Sequence, residues 1–295
     1  MSNNPYKIEG PALISFSGGR TSAYMLYQIL QAHGGKLPDD VVVAFANTGK
    51  EREETLRFVH ECGSRWNVRI RWVEWRPDHK ESKYAAFEEV GFNSASREGE
   101  PFKALIDIKK RMPNTFQRWC TTFLKIYAKD ALMRAELALE PGQYTEVIGL
   151  RYDEGLRIFK GMDRANADGR CVSYPLSKEQ RVKGDILDFW WGIGRQRHNS
   201  YMPRGFDLDL DPWEGNCDFC FQKGKGIRKR IIRDNPQIPV WWHERETDHD
   251  GWFDSRDRVA QLVEQVRTNP TLFDDADDME YDVECGSHCA TGEAA

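Results

Sequence analysis

The stretch Ser17-Gly18-Gly19-Arg20-Thr21-Ser22 sets two glycines among three hydroxyls. There a short apolar run, Leu13, Ile14 and Phe16, gives way to Ala23, Met25, Leu26, Ile29 and Leu30 at helical spacing. A turn between the carboxyl end of a strand and the amino end of a helix leaves backbone N–H groups converging on one point. The helix dipole adds roughly half a positive charge there. A phosphate or pyrophosphate is the natural guest of such a corner. Gly18 and Gly19 let backbone approach a ligand with no Cβ in the way, and Ser17, Thr21 and Ser22 add hydroxyl donors.

Thiols form the second group with chemistry in its spacing. Cys217-Asp218-Phe219-Cys220, between Gly215 and Gly224, can chelate one metal, hold two corners of an iron–sulfur cluster, or act as a dithiol pair; the spacing does not choose among these. Cys120 stands at the amino end of a helical pattern running through Ile126, Ala128, Leu132, Ala135 and Leu139. The dipole and Arg118 both favour its thiolate. Cys120, Cys217 and Cys220 give three ligands of a four-thiolate site, with Cys285, Cys289 or an outside group as the fourth, whereas Cys62 and Cys171 read as bystanders. Arg151 and Arg157 offer charged forks for phosphate or sulfate, and Asp153 and Glu154 are placed to hold Mg²⁺ or a ribose hydroxyl.

The elements that must position these groups alternate. Val41 to Ala46 is a continuous apolar run suited to a buried parallel strand, ending in Asn47-Thr48-Gly49-Lys50-Glu51. Thr55, Leu56, Phe58 and Val59 resume helical spacing, Val68 to Trp75 reads as a third strand, and Thr145 to Leu150 as a fourth. Such alternation predicts an α/β fold, a parallel twisted sheet with helices on both faces, with ligands at the carboxyl edge of the strands. The segment from Pro77 to Pro113 is expected to be an irregular insertion or lid, and Trp190, Trp191, Trp241 and Trp242 are expected to be core anchors.

These motifs follow one another in the order of a known family. Ser17 to Ser22 resembles the SGGxxS loop of the PP-loop superfamily of adenine-nucleotide α-hydrolases, and lacks the spacing of a Walker A loop. Asn47 to Val59 resembles the NTGxExxETLxFV segment of the PAPS (phosphoadenylyl-sulfate) reductase family. Arg151 to Arg157 is similar to its GxRxDExxR segment, and Tyr174-Pro175-Leu176 with Asp185 to Trp191 to its YPL and FW segments. The resemblance implies a Rossmann-like PP-loop domain over residues 1–185, a cysteine-containing extension over 186–273 and an acidic tail over 274–295.

It also implies that Ser17, Gly18, Gly19, Arg20, Thr21, Ser22, Asn47, Thr48, Gly49 and Glu51 bind an adenylyl nucleotide, ATP or PAPS. Arg151 and Arg157 would steady the anion. Glu284-Cys285-Gly286-Ser287-His288 resembles the family's ECGLH tail, whose cysteine attacks the sulfur of a bound sulfonucleotide to give a thiosulfonate that thioredoxin or glutaredoxin resolves as sulfite; Cys285 would be that nucleophile. Family members with a cluster carry two adjacent cysteines where this chain has Cys120 alone.

Three readings result. One is a PAPS-reductase-like oxidoreductase acting through Cys285. Another is an ATP pyrophosphatase that adenylates an acceptor and delivers sulfur through a [4Fe–4S] cluster on Cys120, Cys217, Cys220 and Cys289, with nucleic acid among its acceptors. The third is a non-catalytic nucleotide-binding module with structural zinc.

Composition fits all three. The 295 residues suffice for a full core, and 40% hydrophobic with 30% charged residues reads as an ordinary soluble protein. A net charge of −5 gives no general basis for binding nucleic acid. Seven scattered cysteines fit a reducing compartment, and with no apolar run of membrane-spanning length and no signal pattern a cytoplasmic protein is expected.

Overall fold

The computed structural model describes residues 4–77, 87–114, 116–192, 202–203, 205–215, 217–249, 251–253 and 257–268. Six strands form one sheet: β1 (Ala12–Phe16), β2 (Val41–Asn47), β3 (Ile70–Trp75), β4 (Phe87–Val90), β5 (Thr145–Ile148) and β6 (Cys171–Ser173), in the order β4-β3-β2-β1-β5-β6. β1, β2, β3, β5 and β6 pair in parallel, and β4 runs antiparallel to β3. Every residue of β1 and β2 is buried, which is why these strands read as unbroken apolar runs.

Side chains alternate between the two faces of a strand, and β1 shows where each set goes. Ala12, Ile14 and Phe16 pack with residues of α1 (Arg20–Ala32), α2 (Glu53–Arg65) and α7 (Lys183–Trp191). Leu13 instead joins residues of α3 (Glu100–Lys109), α4 (Ala128–Leu137), α8 (Lys225–Asp234), α9 (Ile238–Asp248) and α10 (Val259–Thr268). Two cores thus lie on opposite sides of the sheet. Helices α5 (Gly155–Ala167) and α6 (Pro175–Lys178) flank β6 in the chain. Trp190 and Trp242 are core residues, as expected.

The segment from Pro77 to Pro113 differs from its expectation, because it contains both β4 and α3. β4 is an edge strand with little apolar content, paired antiparallel with β3 and flanked by charge pairs from Arg71 in β3 to Glu89 and from Arg76 just after β3 to Glu88, at 2.5 and 2.9 Å. Its hydrophobic alternation is therefore weak. α3 starts after Gly99, has proline in its first turn, and buries Phe102, Leu105 and Ile106 at regular helical spacing. The short strand β6 also escaped the pattern: Cys171 is exposed and its neighbours are only half-buried.

The corner after β1 is fixed by one backbone position. Gly18 has φ +82°, and a Cβ there would lie 2.7 Å from the Thr55 Cγ2 methyl and 3.1 Å from atoms of Phe45 and Val59. Left-handed backbone and lack of room act together. Gly18→Ala is expected to destabilise the protein by about 2–4 kcal/mol, read as a fall in the urea midpoint with unchanged slope.

Candidate functional site

The strand order reverses at β1: the chain runs outward through β2 and β3, then returns to place β5 on the other side of β1. Open α/β sheets bind ligands in the crevice outside such a switch point. The residues after β1 and after β5 meet there, since Arg151 Nη1 donates to Thr21 Oγ1 at 3.2 Å. Gly19, Arg20, Thr21 and Arg151 line one cavity together with Lys183, Ile186, Leu187, Leu208, Asp211, Pro212 and Gly215.

Within the corner the hydroxyls are not equivalent. Ser22 Oγ accepts from Ser17 N–H at 3.1 Å and from Ser17 Oγ at 2.9 Å, and donates to Gly19 carbonyl oxygen at 3.0 Å. Ser17 and Ser22 therefore shape the turn. Among the described residues no side chain caps the first turn of α1 and no acidic residue lies in that turn, so its dipole end faces a cavity whose acidic lining residue is Asp211. Arg20 is committed elsewhere: its guanidinium grips Asp207 through two bonds of 2.8 and 2.6 Å and lies 4.7 Å from the Trp191 ring centre. Burial pushes the Asp207 carboxyl up, and the Arg20 pairing together with the Trp191 N–H more than offsets it, holding the carboxyl below its usual range. Arg157 pairs with Glu154, one helical turn from Arg151, and Asp153 with Arg151. Neither acidic residue lines the cavity.

Asn47, Thr48, Gly49 and Glu51 form a closed turn. Asn47 donates to Glu74 Oε1 at 2.6 Å and to the Ser96 carbonyl oxygen at 2.9 Å. Glu51 accepts from both the N–H and the hydroxyl of Thr48. Burial pushes the Glu51 carboxyl up, and the nearby Lys125 opposes that shift. The turn faces the thiols: Thr48 lines a second cavity with Cys120, Cys217, Cys220, Arg118, Thr121, Lys125, Gln222 and the aromatics Phe102, Phe221, Trp242 and Phe253. Three cysteines singled out by spacing thus come together. Among the described residues, however, no three His, Cys, Asp or Glu side chains form a group able to hold a metal ion. Cys285 and Cys289 lie outside the described residues.

A π-helical turn over Thr121–Tyr127 aims the Cys120 segment. In an α-helix, residues five apart sit about 140° apart around the axis. Bonding from i to i+5 brings them close to one line. Cys120 and Lys125 accordingly reach the same cavity.

The two cavities share a wall. Gly215 lines the first and Cys217, two residues on, lines the second. This wall is anchored at both ends, by Arg20–Asp207 and by Lys50–Asp218 at 3.0 Å, and Cys217 makes an isolated antiparallel bridge with Glu51. Lys223 is buried beside Cys217 and Cys220; burial lowers its pKa and the two sulfurs oppose that. Lys183, Asp211 and Asp207 were not singled out from sequence, for they sit in no recognisable spacing. Lys129 was missed too: buried under β1, it donates to Ser15 Oγ, and burial takes its pKa down to about 8 against the pull of Glu146.

No family model matches the chain, and no solved structure matches it. It is 30% identical over 222 residues to an uncharacterized nin region protein, ORF290, of Escherichia phage lambda, an alignment covering 72% of this chain and 66% of that protein. It is 22% identical over 272 residues to an uncharacterized protein of Methanocaldococcus jannaschii, covering 86% of this chain and 46% of the relative. The chain thus spans just under two thirds and just under half of the two relatives.

Two outcomes follow from this electrostatic arrangement. Asp207→Ala leaves Arg20 buried without its carboxylate and should cost about 3–5 kcal/mol by urea denaturation. Lys129 binds its proton less tightly folded than unfolded, so its contribution to stability should rise with pH between about 8 and the ordinary lysine value of 10.5. Lys129→Met should flatten that part of the stability–pH curve.

Proposed function

We propose that the chain is a PP-loop-type enzyme that binds an adenylyl nucleotide at Ser17–Ser22 and carries out sulfur chemistry at the neighbouring thiols. One observation carries the reading: the segment that lines the loop cavity at Gly215 supplies Cys217 and Cys220 to the thiol cavity, where Cys120 meets them. An activated group and a sulfur nucleophile would be neighbours across a short stretch of chain.

The ATP-cleaving form of the reading fits this arrangement best. An acceptor oxygen attacks the α-phosphorus, the bond to the β-phosphate oxygen breaks, and pyrophosphate leaves with the electron pair. Sulfide then attacks the adenylated acceptor, the bond from the acceptor to the phosphate oxygen breaks, and AMP leaves with the electron pair. The free amino end of α1 and Arg151 would bind the phosphates. Arg118 and Lys125 would favour thiolate at Cys120. Arg20 would act through Asp207, keeping the shared wall in place, rather than by touching phosphate. Cys120, Cys217 and Cys220 would be the ligands of a cluster or of zinc, but the grouping of the described side chains does not by itself fit a metal.

A second reading, sulfonucleotide reduction, rests on the resemblance of Glu284 to His288, which lie outside the described residues.

Anaerobically purified protein, assayed for iron and sulfide and then incubated with ATP and with PAPS plus thioredoxin, separates these. Pyrophosphate release from ATP that falls at least a hundredfold in Arg151→Ala, about the loss of one transition-state donor, supports the first reading. Sulfite from PAPS that disappears in Cys285→Ser supports the second. Neither product, with no nucleotide-induced rise in melting temperature, overturns both.

A further inference from the structure

Helix α5 is poorly accounted for by the described residues of its own chain. Of its thirteen residues it buries only Gly161 and Ala165, and Ile158 packs part-buried into a small satellite core. Helices in proteins draw most of their stability from a buried apolar face. Here the larger apolar residues point outward: Tyr152, just before the helix, is 55% exposed, Leu156 69%, Phe159 71% and Met162 49%. Their spacing of four, three and three residues makes one stripe. Side chains of these kinds are enriched at interface centres, and four of them present on the order of 500 Å² of surface. That exceeds a scattered-residue background and approaches the roughly 800 Å² per partner of a standard interface.

The charges beside the stripe indicate the occupant. Lys160 and Asp163, both exposed, make no ion pair or hydrogen bond among the described residues. Asp153 and Lys160 lie seven residues apart on one edge of the helix, acidic toward its start and basic toward its middle. A two-fold axis that reverses one helix against another keeps that edge on the same side in both copies. It then brings Lys160 of one copy to Asp153 of the other, twice. The same axis sets Leu156 against Phe159 of the second copy, and the Tyr152 hydroxyl against Asp163 of the second copy. Gly155, beside which a Cβ would meet nothing within 4 Å of its own chain, leaves room for close approach. A stripe whose flanking charges complement themselves under a two-fold axis is what an isologous contact requires.

We propose that α5 pairs antiparallel with α5 of a second copy of this chain, making a two-fold dimer through Tyr152, Leu156, Phe159 and Met162. The contact runs beside the loop cavity, because Asp153 also holds Arg151, at 3.1 Å, and Arg151 lines that cavity. The proposal does not depend on the chemistry assigned to the site.

Sedimentation equilibrium of the full chain across a wide concentration range tests it. The wild type should show a monomer–dimer equilibrium. Phe159→Glu should weaken association about a hundredfold or more, as expected for a pair of central anchors, while far-UV circular dichroism and melting of the monomer stay unchanged because the residue is exposed. Lys160→Glu should weaken it several-fold, with a loss that shrinks in high salt, as for exposed charge pairs. A wild type that is monomeric throughout, including one that uses α5 to bind a different protein, overturns the proposal. So does a dimer that Phe159→Glu leaves intact.

Discussion

The buried ion pair between Arg20 and Asp207 is the constraint on which the geometry of the site rests. It ties the first turn of α1 to a segment 187 positions further along the chain, and that segment forms one wall of both cavities. Two charges so enclosed recover their desolvation only with good geometry. The double hydrogen bond, the Trp191 indole N–H on Asp207 and the ring stacked on Arg20 supply it. At the far end, Lys50 with Asp218 and Trp242 Nε1 with Asp218 do the same for the cysteine turn. These contacts anchor the loop at both ends.

The same economy explains the unusual number of enclosed cations at the carboxyl edge of the sheet. Lys50, Arg118, Lys125, Lys129, Arg151 and Lys223 are all buried. Carboxylates answer several of them, and sulfurs answer Lys223. An edge of this sign favours anions and thiolates, so the phosphate-binding and thiol-based parts of the proposed chemistry ask for one electrostatic environment.

Much of this was legible in the sequence. The central strands are apolar throughout because both their faces are covered, so β1 and β2 stood out, and the glycine corner after β1 is visible because Gly18 must adopt a conformation other residues resist. The grouping of Cys120 with Cys217 and Cys220 was anticipated from thiol spacing and resemblance. The role of Arg20 was not, because its partner Asp207 lies in a stretch with no periodicity and a long-range pair leaves no local mark. Asn47, Thr48 and Glu51 were expected to contact the nucleotide because their string resembles the NTGxE segment of the reductase family. They hydrogen-bond mainly among themselves and with Glu74 and Ser96. β4 was hidden because it has little apolar alternation and is flanked by charge pairs.

The π-helical turn after Cys120 has a consequence for how such a site can be gained or lost. It accommodates one residue more per turn than its α-helical neighbours, so a single-codon deletion just after Lys125, at 126 or 127, would restore an uninterrupted helix while leaving Cys120 and Lys125 five residues apart. The sulfur would then swing to a different side of the rod from Lys125. Chemistry at this position hangs on a reading-frame-preserving change of one amino acid, a far shorter evolutionary distance than replacing the cysteine and rebuilding its surroundings.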